Sequence, residues 1–154
     1  MMLIMPMLST RCKYGLRAAV YVASQPSGQY VSIRRISTSL GISFHFLTKI
    51  LQCLTEKGIF VSHRGPHGGV LFARSPGEVT FQDIIEAIEG PSVFTACMLG
   101  LSRCRNKTGC PLRKKWSDEQ LRMTKLFRET RLNDLVHMFP DDVTKQKNVD
   151  EISV

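Results

Sequence analysis

Three of the chain's five cysteines, Cys97, Cys104 and Cys110, fall within fourteen consecutive positions, with six and five residues between them. They sit in "TACMLGLSRCRNKTGCPLR", among Gly, Ser, Asn and Thr, which is the composition of a loop. Thiols gathered on one loop can ligate a soft metal, and bare thiolates beside Arg103, Arg105 and Lys107 can act directly as redox sensors. An odd cysteine count with no export signal speaks against a disulfide framework. The expectation is a metal or redox site in a reducing cytoplasm. Zinc, which accepts three thiolates and an imidazole, is one occupant to weigh.

The elements around this loop read as helices and one hairpin. "TRCKYGLRAAVYVAS", residues 10 to 24, is a helix with Tyr14, Leu16, Ala19, Val20 and Ala23 on or near one side, closed by Pro26 and Gly28. Ser32 is placed to cap a second helix, with Ile33, Ile36 and Leu40 as its buried stripe and Gly41 as its stop. Only Ile42 separates that glycine from Ser43, expected to cap the next helix, so the pair has the form of a helix-turn-helix.

That next helix, Phe44 to Lys57, carries Leu47, Ile50, Leu51 and Leu54 at the spacing of an inward face. His45, Thr48, Lys49 and Gln52 then point outward, with side chains suited to base edges and phosphates in a major groove. Cys53 belongs to the packing of this helix. Residues Ile59 to Ser62 and Val70 to Ala73 have strand character around the turn "RGPHGG", which makes a wing beside the helix. Arg64 and His67 lie near its tip, where glycines allow close approach to phosphate or a narrow minor groove. Thr80 and Asp83 form a capping box ahead of Phe81, Ile84, Ile85 and Ile88, and Gly90-Pro91 ends that helix. After the cysteine loop, Pro111 begins a long helix to about Thr130, with Leu112, Trp116, Met123, Leu126 and Phe127 along one side. The tail from about Pro140 is polar, and disorder is expected there.

Charge divides the chain in two. Residues 1 to 75 hold nine Lys and Arg, including Arg34, and one acid, Glu56, which accounts for the whole formal charge of +8. Twelve bases and twelve acids balance in residues 76 to 154. A basic half joined to a neutral half implies a polyanion-binding module attached to something else.

The run "KYGLRAAVYVAS", the segment "GISFHFLTKIL…LTEKGI", the wing "RGPHGGV", the helix "TFQDIIEAIEGP" and the three-cysteine loop occur in that order. Together they resemble the IscR/NsrR-type winged-helix regulators, the Rrf-two family, over roughly residues 7 to 137. The resemblance implies a fold that is mainly α with a small β-hairpin wing: a winged helix-turn-helix plus a long C-terminal dimerisation helix. It implies a DNA-binding domain over 7–90, a cysteine-rich sensor loop over 91–111, a dimerisation helix and short C-terminal helix over 112–137, and the tail over 138–154. It also implies a homodimer on a palindromic site in double-stranded DNA, read by Ser43, His45, Thr48, Lys49, Gln52, Arg64, His67 and Arg34. The implied cofactor is an iron–sulfur cluster, 2Fe–2S or 4Fe–4S, held by Cys97, Cys104 and Cys110 plus one further ligand. Here the chain departs from the family. The histidine that can follow the last cysteine by three residues is Arg113, and the carboxylate that can come from the first helix is Lys13. Cys12, beside that position, is the nearest candidate for the fourth ligand, from the same or the partner subunit, and reads equally as a small helix residue.

Other classes are disfavoured. No CxxC pair, paired-carboxylate site or phosphate-cradling glycine loop points to an enzyme. A winged helix serving as a DNA-binding or protein-interaction module, with zinc, a thiol switch or no cofactor in the loop, is the alternative. No apolar run is long enough to span a bilayer, and "MMLIMPMLST" lacks the basic leader and cleavage site of a signal peptide. No membrane association and a cytoplasmic location are therefore expected. The start codon can be Met1, Met2, Met5 or Met7, and residues 1 to 6 carry no expected structural role.

Overall fold

Short polar side chains cap the starts of three helices, and glycines stop two of them. In the computed structural model, which describes residues 8–101 and 109–138, the Ser9 hydroxyl accepts from the Cys12 N–H at 3.1 Å and opens α1, Thr10–Ala23. Ser32 accepts from the Arg35 N–H at 3.1 Å and opens α2, Ile33–Leu40. Gly41 adopts a left-handed φ of 65°, which an L side chain resists, and turns the chain toward α3, Phe44–Glu56. The capping box of Thr80 and Asp83 is formed in both directions, at 3.1 and 2.9 Å, and starts α4, Phe81–Glu89. α5 runs Arg113–Glu129, starting two residues beyond the expected Pro111, and α6 runs Leu132–Met138.

The wing consists of β1, Phe60–His63, antiparallel to β2, Gly69–Phe72, with Phe60 opposite Phe72 and His63 opposite Gly69. Each strand is displaced by one residue from its expected span. The displacement puts Gly69 in the ladder, where its neighbour Val70 exchanges two hydrogen bonds of 2.9 Å with Val31. A Cβ on Gly69 would lie 2.1 Å from the Val31 carbonyl oxygen, so only glycine lets the wing seat against the chain leading into α2.

α1 is the centre of the molecule, touching α2, α3, α4, α6 and β2. It buries Cys12, Gly15, Ala18, Ala19, Val20, Tyr21 and Val22, more than one helical stripe. Tyr14, Leu16 and Ala23, expected on its inner side, are only half-buried. A helix surrounded on several sides loses the one-sided pattern from which such a stripe is read. Gly15 marks the closest crossing: a Cβ there would meet Ile88 Cδ1 at 2.2 Å. Ile36, Leu40, Leu47, Ile50, Leu51, Leu54, Ile84, Ile85 and Leu132 complete this core, none more than 1% exposed. Leu132 places α6 in that core, its N–H donating to the Val79 carbonyl at 3.1 Å.

On α5 the inward residues are Trp116, Gln120, Met123 and Phe127. Phe127 meets Phe81 and Phe94 at 6.5 and 6.1 Å between ring centroids. Leu112 and Leu126, expected on the same side, are 50% and 58% exposed. The expected disordered tail lies outside the described residues.

Candidate functional site

The helix-turn-helix and the wing enclose a cleft of about 640 Å³. Arg34 from α2, Thr48 and Gln52 from α3, and Arg64 from the wing line it. They are joined there by Phe44, Thr55, Glu56 and His63. The spacing Phe44, Thr48, Gln52, Glu56 is one line of neighbours along a helix. Ser43, His45, Lys49 and His67 are exposed but outside this lining.

Within the cleft, the Thr48 hydroxyl donates to the Phe44 carbonyl at 2.7 Å, which leaves its oxygen able to accept. The Gln52 side-chain amide donates to Glu56 Oε1 at 3.4 Å. Arg34 stands over the Phe44 ring, 5.4 Å from its centroid. The Tyr30 ring lies 5.6 Å from His63, where β1 runs into the turn of the wing. Ser43 occupies the N-cap position of α3 yet makes no side-chain capping bond, contrary to expectation. With Phe44, His45 and Phe46 all exposed, the first turn of α3 is open. N–H groups at such an open turn attract phosphate oxygens.

Phe44, Tyr30 and Glu56 were not among the expected site residues. Phe44 stands three residues before Leu47, so its spacing reads as core. Its exposure, 39%, follows from its place at the end of the helix, beyond the buried stripe.

The cysteine loop and the start of α5 enclose a second cavity, of about 520 Å³. Cys97 and Cys110 both line it, with Met98, Leu99, Leu101, Leu112, Trp116 and Arg113. Cys97 is half-buried and Cys110 exposed, while Cys104 lies outside the described residues. The described lining supplies two thiols and neither an imidazole nor a carboxylate. Two thiols can form part of a thiolate-bound centre, and the described lining supplies no further ligand. Among the described residues, no group of three or more His, Cys, Asp or Glu side chains gathers as for a metal.

Cys12 is not brought to Cys97 and Cys110. It is 0% exposed in the core, and its thiol is pushed up to about 12, first by burial and then by the charge of Glu89. A ligand has to be a thiolate, so this setting opposes a metal-binding role. Lys13 is exposed on α1, and Arg113 lines the cavity itself. Cys53 donates to the Ala87 carbonyl at 3.2 Å, tying α3 to α4.

One acceptor at the start of the loop takes two side-chain bonds from α5. The Ala96 carbonyl oxygen, next to Cys97, accepts from Trp116 Nε1 at 3.0 Å and from Gln120 Nε2 at 2.8 Å. Gln120 is the one buried residue of α5. Its role has no sequence signal, because a glutamine in a charged helix reads as solvated surface.

A family profile described as Rrf2, an iron-dependent transcriptional regulator, matches residues 8–138. Protein rrf2 of Nitratidesulfovibrio vulgaris is 30% identical, across 84% of this chain and 86% of its own. The HTH-type transcriptional regulator IscR of Cronobacter sakazakii is 28% identical, across 84% of this chain and 80% of its own. Among solved structures, CymR (YrzC), the global cysteine regulator of B. subtilis, is similar at a TM-score of 0.69 and 25% identity, covering 89% of this chain and 98% of its own. IscR of T. potens, at 20% identity, shares the fold with a TM-score of 0.69 over 92% of this chain and 93% of its own.

Proposed function

This chain belongs to the Rrf2 family of transcriptional regulators, and on that premise we propose a homodimeric, sequence-specific DNA-binding repressor whose cysteine loop reports iron–sulfur, nitric oxide or redox status. Regulators of this family are not enzymes. The observation that carries the DNA-binding part is the cleft in which Arg34, Thr48, Gln52 and Arg64 converge from α2, α3 and the wing. With α3 in the major groove, Thr48 and Gln52 reach base edges, and the permanent charge of Arg64 meets phosphate or a narrow minor groove. Two copies related by a two-fold axis read a palindrome.

The loop controls this module through contacts made by the chain itself. Cys97, Cys104 and Cys110 would hold the cluster, and the cluster supplies a redox-active, chemically labile centre when bound. Trp116 and Gln120 fix the residue beside Cys97 to α5. Phe127 of α5 stacks on Phe81 of α4, and α4 packs against α3. A change in the loop thereby reaches the recognition helix and alters the spacing of two such helices in a dimer. A second reading, a zinc site or a bare thiol switch on the same loop, draws on the same described thiols, Cys97 and Cys110, since zinc too is held by thiolates and a thiol switch needs no further ligand.

Anaerobic purification tests the reading, with iron, acid-labile sulfide and zinc measured on wild type and on Cys110→Ser, alongside binding to duplexes selected from a randomised pool. The expected result is iron and sulfide in the wild type and their loss in the variant. Zinc without sulfide, or no metal at all, selects the second reading. Failure to enrich any duplex at moderate salt removes the DNA-binding role in favour of a protein-interaction module.

A further inference from the structure

We propose that Phe44 reads a thymine 5-methyl group in each half of the binding site, held in position by Arg34. This rests on the DNA-binding reading above and assigns it a specificity residue. Phe44 is the first residue of α3 and is 39% exposed, one of two exposed phenylalanine rings on the helix, the other being Phe46. It lines the cleft on one line with Thr48 and Gln52 and opposite Arg64. Residues at the start of a recognition helix are the ones that reach base edges.

The ring is aimed as well as exposed. The Arg34 guanidinium lies 5.4 Å over its centroid and covers one face. Phe46 gives the contrast. It is 38% exposed, but its ring meets Tyr14 edge-on at 5.8 Å and it does not line the cleft. In the major groove, thymine alone presents a methyl group, and an apolar ring is its matching contact. Against the other base edges, the same ring would desolvate an amino or keto group without returning a hydrogen bond. Phe44 thus favours thymine at one position per half-site.

The probe is a duplex enriched by the wild-type protein from a randomised pool, with each dT replaced in turn by dU, which removes only the methyl. At one position per half-site, dU is expected to weaken wild-type binding about fourfold, the worth of one buried methyl-sized group. Phe44→Ala abolishes that difference, and Phe44→Leu retains part of it. A ring that merely supports Arg34 would lower affinity for dT and dU duplexes alike, so the dT/dU ratio separates reading from support even where the alanine variant is less stable. No dU-sensitive position, or one that persists in Phe44→Ala, overturns this inference and leaves the DNA-binding reading intact. A wild type that enriches no duplex removes both.

Discussion

At the scale of single residues, burial sets the chemistry of the cysteines. Cys12 holds its proton far more tightly when folded, because burial and Glu89 push its thiol from an ordinary 9.0 up to about 12. The unfolded chain releases that proton first. This site's contribution to stability is therefore complete below about pH 9 and is lost as the pH rises toward 12. Urea unfolding between about pH 8 and about pH 11 should show wild type losing stability faster than Cys12→Ala, and parallel pH profiles would refute the assignment. The same burial predicts that iodoacetamide alkylates Cys110 long before Cys12, read by peptide mass spectrometry. Legibility at this scale followed chemistry. The outward faces of Thr48 and Gln52 were readable because Leu47, Ile50, Leu51 and Leu54, all at most 1% exposed, fixed the opposite side. Cys12 was not readable, since a cysteine is equally at home as a ligand and as a small core residue.

Between elements, single contacts carry the coupling. Gln120 is the buried link between α5 and the cysteine loop, sharing the Ala96 carbonyl with Trp116. Gln120→Leu keeps the volume and removes one hydrogen bond, at a cost of about 1 kcal/mol. It is expected to raise the alkylation rate of Cys97 severalfold while thermal unfolding moves only slightly. An unchanged rate would mean that the Gln120 hydrogen bond does not restrain the loop at Cys97. At the other end, Gly69→Ala places a Cβ 2.1 Å from the Val31 carbonyl at a φ of 151°. It should cost about 1–3 kcal/mol and swing the wing away from α2, weakening binding to every duplex tested. The helices themselves were legible from caps and stops, as Ser32, Gly41, Thr80 and Asp83 illustrate. The inward side of α5 was not. Its stripe of Trp116, Gln120, Met123 and Phe127 has a polar residue in the middle, and that broke the apolar period and drew Leu112 and Leu126 into the expected face.

Over the whole molecule, charge asymmetry is the property most directly visible in the sequence, because charged side chains stay at the surface wherever the chain folds. The fold gathers part of the basic half at one place: Arg34 and Arg64 line the same cleft, with Lys49 exposed beside it and Glu56 as its one acid. Binding that depends on such cations releases counterions from DNA, so affinity falls as a power of salt concentration, by about 0.9 in the exponent for each phosphate neutralised. A dimer that places one wing on each half-site neutralises at least one phosphate through each Arg64. Fluorescence anisotropy on a selected duplex, titrated over a series of potassium chloride concentrations, should give a steep linear log–log plot for the wild type. Arg64→Ala should lower that slope by about two, one unit for each subunit, and reduce affinity evenly across duplex sequences. Because Arg64 is exposed, its melting temperature should match the wild type's. A slope lowered by only about one would place a single wing on the DNA and argue against two-fold recognition. An unchanged slope would take the wing off the phosphates altogether.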